Sequence, residues 1–216
     1  MEQTIQEAFS RLSWPVRAHP WPRQGVSAVS DPLKKEHILF LPSDGTPVGG
    51  TDLLGTLAAM HLAETAHHLF GTHRFSKSVP KKTREAVGRV CDAATGWFSE
   101  YKVFRLAPEV ARLEIENSVT LAEGLPLDSM LGHGYSLLIR ASVAAQAVGY
   151  LGLPVEVPPE LKGLVGAFLA VPPGEPTLEN LRILGNLLLA ALGEPYKLVV
   201  VEGEDGLEVW SVEATV

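Results

Sequence analysis

Cysteine is almost missing from this chain. Cys91 is the single thiol, so no disulfide can form within the chain, and that composition fits a reducing compartment. Long apolar runs are missing too. The most apolar late stretch, Leu181 to Gly193, is interrupted by Arg182 and Asn186 and is too short to span a bilayer. The opening residues, MEQTIQEAFSRLSW, carry acidic side chains and no apolar signal-peptide core. Together these absences lead to the expectation of a cytoplasmic protein that is not held in a membrane. A phosphate loop is also excluded, because no Gly-Lys-Ser/Thr follows the glycines at 45, 49 and 50.

What remains is globular in character. Hydrophobic residues make up 46% of the 216 and charged residues 20%, a balance that supports a packed core rather than disorder. The length fits one domain over residues 1–216. The net charge of −7 is unevenly placed. Residues 1–90 hold 11 Lys/Arg against 8 Asp/Glu, and the rest of the chain holds 7 against 17. The basic excess is densest from Arg74 to Arg89, through Lys77, Lys81, Lys82 and Arg84, with only Glu85 opposing it. Such a run suits an acidic macromolecular partner; it is also what a solvated loop and helix start look like.

The element pattern predicts an α+β protein, mostly helical, with a small N-terminal sheet and a C-terminal β-hairpin. Residues 3–12 have the spacing of a short amphipathic helix. WPVRAHPW, GVSAVS and HILFLP then read as extended pieces punctuated by Pro and Gly. Thr51 is a candidate N-cap, Asp52 favours the helix dipole, and Gly71 ends the helix that runs to about Phe70. A second helix is expected from Pro80, with Val87, Val90, Cys91, Ala94, Phe98 and Tyr101 as its apolar stripe. Over residues 108–124, Pro108-Glu109 reads as a helix start, while Leu113, Ile115, Val119 and Leu121 alternate as in a strand; helix is the expectation. Gly132-His133-Gly134-Tyr135 reads as a turn ahead of a helix from Ser136 to Leu151. Further helices are expected over Pro159–Val171 and Thr177–Leu192, the latter closed by Gly193. A hairpin follows, Tyr196–Glu202 and Leu207–Val212 around a GEDG turn.

The only concentrated chemistry is histidine. Four of the seven, His61, His67, His68 and His73, fall close together around Glu64. At about 100° per residue, His61, Glu64 and His68 share an arc of roughly 60°. Glu64 and His68, one turn apart, are placed to reach one metal ion. Leu62, Ala63, Ala66, Leu69 and Phe70 lie on the opposite side and are expected to face the core. The same polar arc also describes an ordinary solvated helix face.

Over roughly residues 12–104 the chain resembles the zincin-like metallopeptidases. The order of elements is similar: a helix, strand, turn and strand near WPVRAHPWPRQGVSAV, an edge strand like EHILFLP, then the helix that bears the signature H-E-x-x-H. Ala63-Glu64-Thr65-Ala66-His67 aligns with that signature. The resemblance implies that Glu64 stands where the family has its general base and His67 where it has its second zinc ligand. His73, Arg74 and then Asp92 on the next helix match places that follow the signature in some members. The first histidine is replaced by Ala63, so the site is degenerate: one imidazole short. The implied reading is a zincin-like core kept as a non-catalytic scaffold or binding module. The alternatives are a metal-dependent hydrolase or peptidase, with zinc as the candidate metal, in which His61, Glu64, His68 and either Asp92 or His73 have become the ligands, and an interaction protein that uses the basic stretch to bind an acidic partner. In this division the zincin-like part spans about 12–104, and a helical part with the hairpin spans about 105–216.

Overall fold

A computed structural model describes residues 10, 12, 14–22, 27–31, 34–42, 75–124, 133–204, 206 and 208–215. Among these residues the protein is α+β. Three strands come first, β1 (Val16–Trp21), β2 (Ser27–Asp31) and β3 (Glu36–Pro42). Five helices follow, α1 (Lys81–Leu106), α2 (Pro108–Gly124), α3 (His133–Leu151), α4 (Lys162–Leu169) and α5 (Leu178–Ala191). The hairpin of β4 (Tyr196–Glu202) and β5 (Glu208–Ala214) closes the order. No helix among the described residues is long and apolar enough to cross a membrane.

In the N-terminal sheet the order is β1-β3-β2, with β3 parallel to β1 and antiparallel to β2. The zincin-like resemblance implied an edge place for EHILFLP; among the described strands it is the centre. Contacts from outside the strand accompany that central place. His37 and Leu39 are fully buried on one face, while Phe40 packs edge-on against Trp21 at 4.6 Å between ring centroids. Trp14 lies over His37 at 5.6 Å. A strand whose side chains are covered on both faces gains more from two neighbours than from one.

The helices and the hairpin share one core. It takes Val87, Val90, Cys91, Ala94, Trp97 and Phe98 from α1, and continues through Ile115, Leu138, Ala145, Phe168, Leu184 and Leu188 to Leu198 and Trp210. The α1 stripe is the one its periodicity predicts, with Trp97 added to it. Pro80 sits one residue before the helix, with φ −59° and ψ 145°, and its carbonyl accepts the first helical bond from Arg84 N–H at 2.9 Å. Proline also separates α1 from α2. Pro108 has no N–H and crowds the residue before it, and Ala107 leaves the helical region at φ −135°, ψ 63°. Residues 108–124 are helical because Ala111 and Ile115 turn inward together while Leu113 stays 60% exposed, which a strand's alternation would not allow.

Sequence boundaries shift in three places, the first being β5, which runs Glu208–Ala214 where Leu207–Val212 was expected. The expected turn at Gly132–Tyr135 is instead the first turn of α3 from His133, anchored where the Arg89 guanidinium lies 5.5 Å from the centre of the Tyr135 ring. The expected helix Pro159–Val171 is a 3-10 turn, Pro159–Leu161, followed by α4, which ends at Leu169. Val171 lies outside it, buried, with its carbonyl accepting from Trp97 Nε1 at 2.9 Å.

The hairpin meets α5 at a tight joint. Thr177 caps α5 by accepting from Asn180 N–H, and Gly193, at φ +72°, ends the helix by letting Glu194 N–H reach back to Leu189 C=O. At Gly185 a Cβ would lie 2.6 Å from Leu198 Cδ1, so a larger residue there would force the buried Leu198 side chain to shift. Next to it, Asn186 acts as a substitute strand. Its Oδ1 accepts from Leu198 N–H at 2.7 Å, and its Nδ2 donates to Leu198 C=O at 3.1 Å. Asn186→Ala is expected to cost about 1–3 kcal/mol, because both backbone groups lose their partner in a partly buried place. Urea unfolding checks this, and a loss below about 0.3 kcal/mol would show that water replaces the amide without penalty.

Candidate functional site

His61, Glu64, His67, His68, His73 and Arg74 lie outside the described residues, as does the whole predicted helix from Thr51 to Phe70. Asp92 is the one member of the predicted ligand set that is placed. It sits on α1 at an exposed position, off the core stripe. Among the described residues no group of three or more His, Cys, Asp or Glu side chains is arranged to hold a metal ion.

The stripe that carries Asp92 is not simply a solvated face. Thr95 and Ser99, one and two turns further on, are buried. Each hydroxyl satisfies itself on its own helix: Thr95 Oγ1 donates to Cys91 C=O at 2.8 Å and Ser99 Oγ to Gly96 C=O at 3.2 Å. With Gly88 one turn before Asp92, and Gly96 between Thr95 and Ser99, this side of α1 is built of small residues. Cys91 belongs to the core. Burial pushes its thiol far up, and the nearby Asp92 charge adds to the rise, so it does not supply a thiolate near neutral pH.

The same stripe leads to a polar group that the sequence did not reveal. Gln146 of α3 donates through Nε2 to the Glu100 carboxylate, and the same nitrogen lies 3.1 Å from Ser142 Oγ. Beside it the Tyr150 hydroxyl donates to Trp97 C=O, in a cluster where the Tyr150 ring lies 4.8 Å from Trp97 and 5.2 Å from Tyr101. Protein packed around Glu100 pushes its carboxyl up to about 7, and the hydrogen bond from Gln146 opposes that rise. The residue keeps an open flank to water, which screens the charge and keeps the energetic weight of the shift modest. Burial, then the Glu100 charge, then Tyr101 raise Tyr150 well above a normal phenol. No short motif joins residues 46 apart, so the only sequence signal was Glu100 beside the apolar stripe of α1.

A direction follows for pH. A carboxyl raised in the fold favours the protonated native state, so its contribution is fully present below the unfolded value of 4.5 and is lost as pH rises through about 7. Glu100→Gln is expected to leave the melting temperature unchanged near pH 4.5 and to raise it at pH 8. Equal shifts at both pH values would assign the effect to packing instead.

The basic run is partly engaged. Lys77, 85% exposed, pairs with Glu204 at 2.5 Å, and Lys81 pairs with Glu85 at 3.8 Å. Lys82 and Arg84 are exposed on the first turn of α1. The segment leading into α1 is fixed by the hairpin: Ser76 N–H donates to Trp210 C=O at 2.7 Å, and Phe75 bridges the same residue. Comparison with known proteins finds no matching family model, no matching curated protein and no matching solved structure.

Proposed function

We propose that this protein is a zincin-like binding module with a degenerate metal site, rather than a working metallopeptidase. One observation carries this reading. Ala63 stands where the H-E-x-x-H signature needs its first imidazole, while Glu64 and His67 keep the other two roles. A helix-borne zinc site depends on two imidazoles one turn apart, with the glutamate acting on zinc-bound water; with one imidazole gone, zinc is held too weakly to activate that water. Asp92 is the third ligand that the resemblance implies. It is exposed on a helix whose other side is locked into the core, a rigid carrier of the kind a third ligand requires.

The test is metal content. Protein purified without chelator is expected to carry well under one zinc per chain by elemental analysis. Stoichiometric zinc that disappears in His61→Ala or His68→Ala would reverse the conclusion and favour a hydrolase that binds zinc through His61, Glu64 and His68, with Asp92 or His73.

A further inference from the structure

Far from the histidines along the chain, the surface between α2, α3 and the segment after α3 contains a small cleft of about 50 Å³. Val119, Val143, Val155 and Leu161 form its walls, and Arg140 and Glu156 are its charged members. Arg140 is the unusual one. It is partly buried against aliphatic side chains, yet its guanidinium makes no ion pair or hydrogen bond with any described residue. Glu156 lines the same cleft without pairing to it. The planar fork of five donors on Arg140 matches a carboxylate, and no described residue supplies one to it.

We infer that this cleft takes a free short-chain monocarboxylate, with the carboxylate on Arg140 and the aliphatic tail between Val119, Val143 and Val155. Size limits the tail. A space of about 50 Å³ admits only a few carbon atoms, so longer acyl chains would extend into solvent. Charge sets the head group: Arg140 attracts an anion, while Glu156 at the same cleft weakens that attraction and limits affinity.

Butyrate is the probe, followed by amide and methyl NMR of the full chain. Saturating shifts are expected at Val119, Val143 and Val155 in about the millimolar range, as suits a ligand of roughly six heavy atoms that is only partly enclosed. Butanol, which has the tail without the charge, is expected to bind about tenfold more weakly, as is butyrate to Arg140→Met. Glu156→Gln is expected to tighten butyrate binding. That gain cannot come from a damaged fold, so it protects the test against a misfolded Arg140 variant. Absence of saturating shifts, or equal affinity for butyrate and butanol, would overturn the proposal.

Discussion

Trp97→Ala is expected to lower stability by about 3–5 kcal/mol. The indole is 1% exposed at the point where α1, α3 and α4 meet, with ring centroids 4.8 Å from Tyr150 and 5.5 Å from Phe168. Its place is prepared by Gly149, where a Cβ would lie 3.0 Å from the indole edge. Truncation therefore opens a cavity that α3 cannot fill without moving. It also removes the donor to Val171 C=O, the bond that fixes the chain just after α4. Trp97→Phe is expected to lose less, because a ring remains and only the donor and part of the contact are removed. Leu113→Ala is the control: at 60% exposed, its loss is expected to stay within about 0.5 kcal/mol. Urea unfolding of the three variants checks the order. A Trp97→Ala loss of about 1 kcal/mol or less would mean that this junction is not the centre of the core.

Most of this fold was legible because single signals pointed one way. The stripe from Val87 to Tyr101 has only a helical reading, and α1 follows it. Thr177 and Gly193 mark the two ends of α5 through the capping chemistry expected of those residues. The hairpin was visible in two β-branched runs around a glycine turn. Errors arose where tertiary contacts decided the outcome. The place of β3 in its sheet depends on pairing, which no residue pattern within EHILFLP encodes. The extra turn of α3 carries Tyr135, which meets Arg89, and α4 stops short of Val171, whose carbonyl accepts from Trp97. The Glu100–Gln146 bond and the Asn186 clamp are side-chain meetings between separate elements, which periodicity cannot show. For the site, the sequence correctly put Cys91 in the core and Asp92 off the apolar stripe, while the histidine cluster lies outside the described residues.

The second large expected effect is a gain. If Ala63-Glu64-Thr65-Ala66-His67 is an H-E-x-x-H signature that has lost its first residue, then Ala63→His restores the missing ligand. Imidazoles at i and i+4 share a helix face and can hold one zinc at about 2.0–2.1 Å. The variant is therefore expected to bind zinc or cobalt at least about tenfold more tightly than the parent, a gain of roughly 1.4 kcal/mol or more. Both imidazoles must be neutral to bind, so the gain is expected to fade as pH falls below about 6.5. Ala63 borders the apolar side of its predicted helix, so circular dichroism and urea unfolding must first establish that the variant is folded. Calorimetric titration of the folded Ala63→His variant with zinc, beside the parent, is the decisive measurement. The degenerate-site account predicts the tenfold gain and its pH dependence; equal affinity in the two folded proteins would contradict it and make the histidines an ordinary polar face.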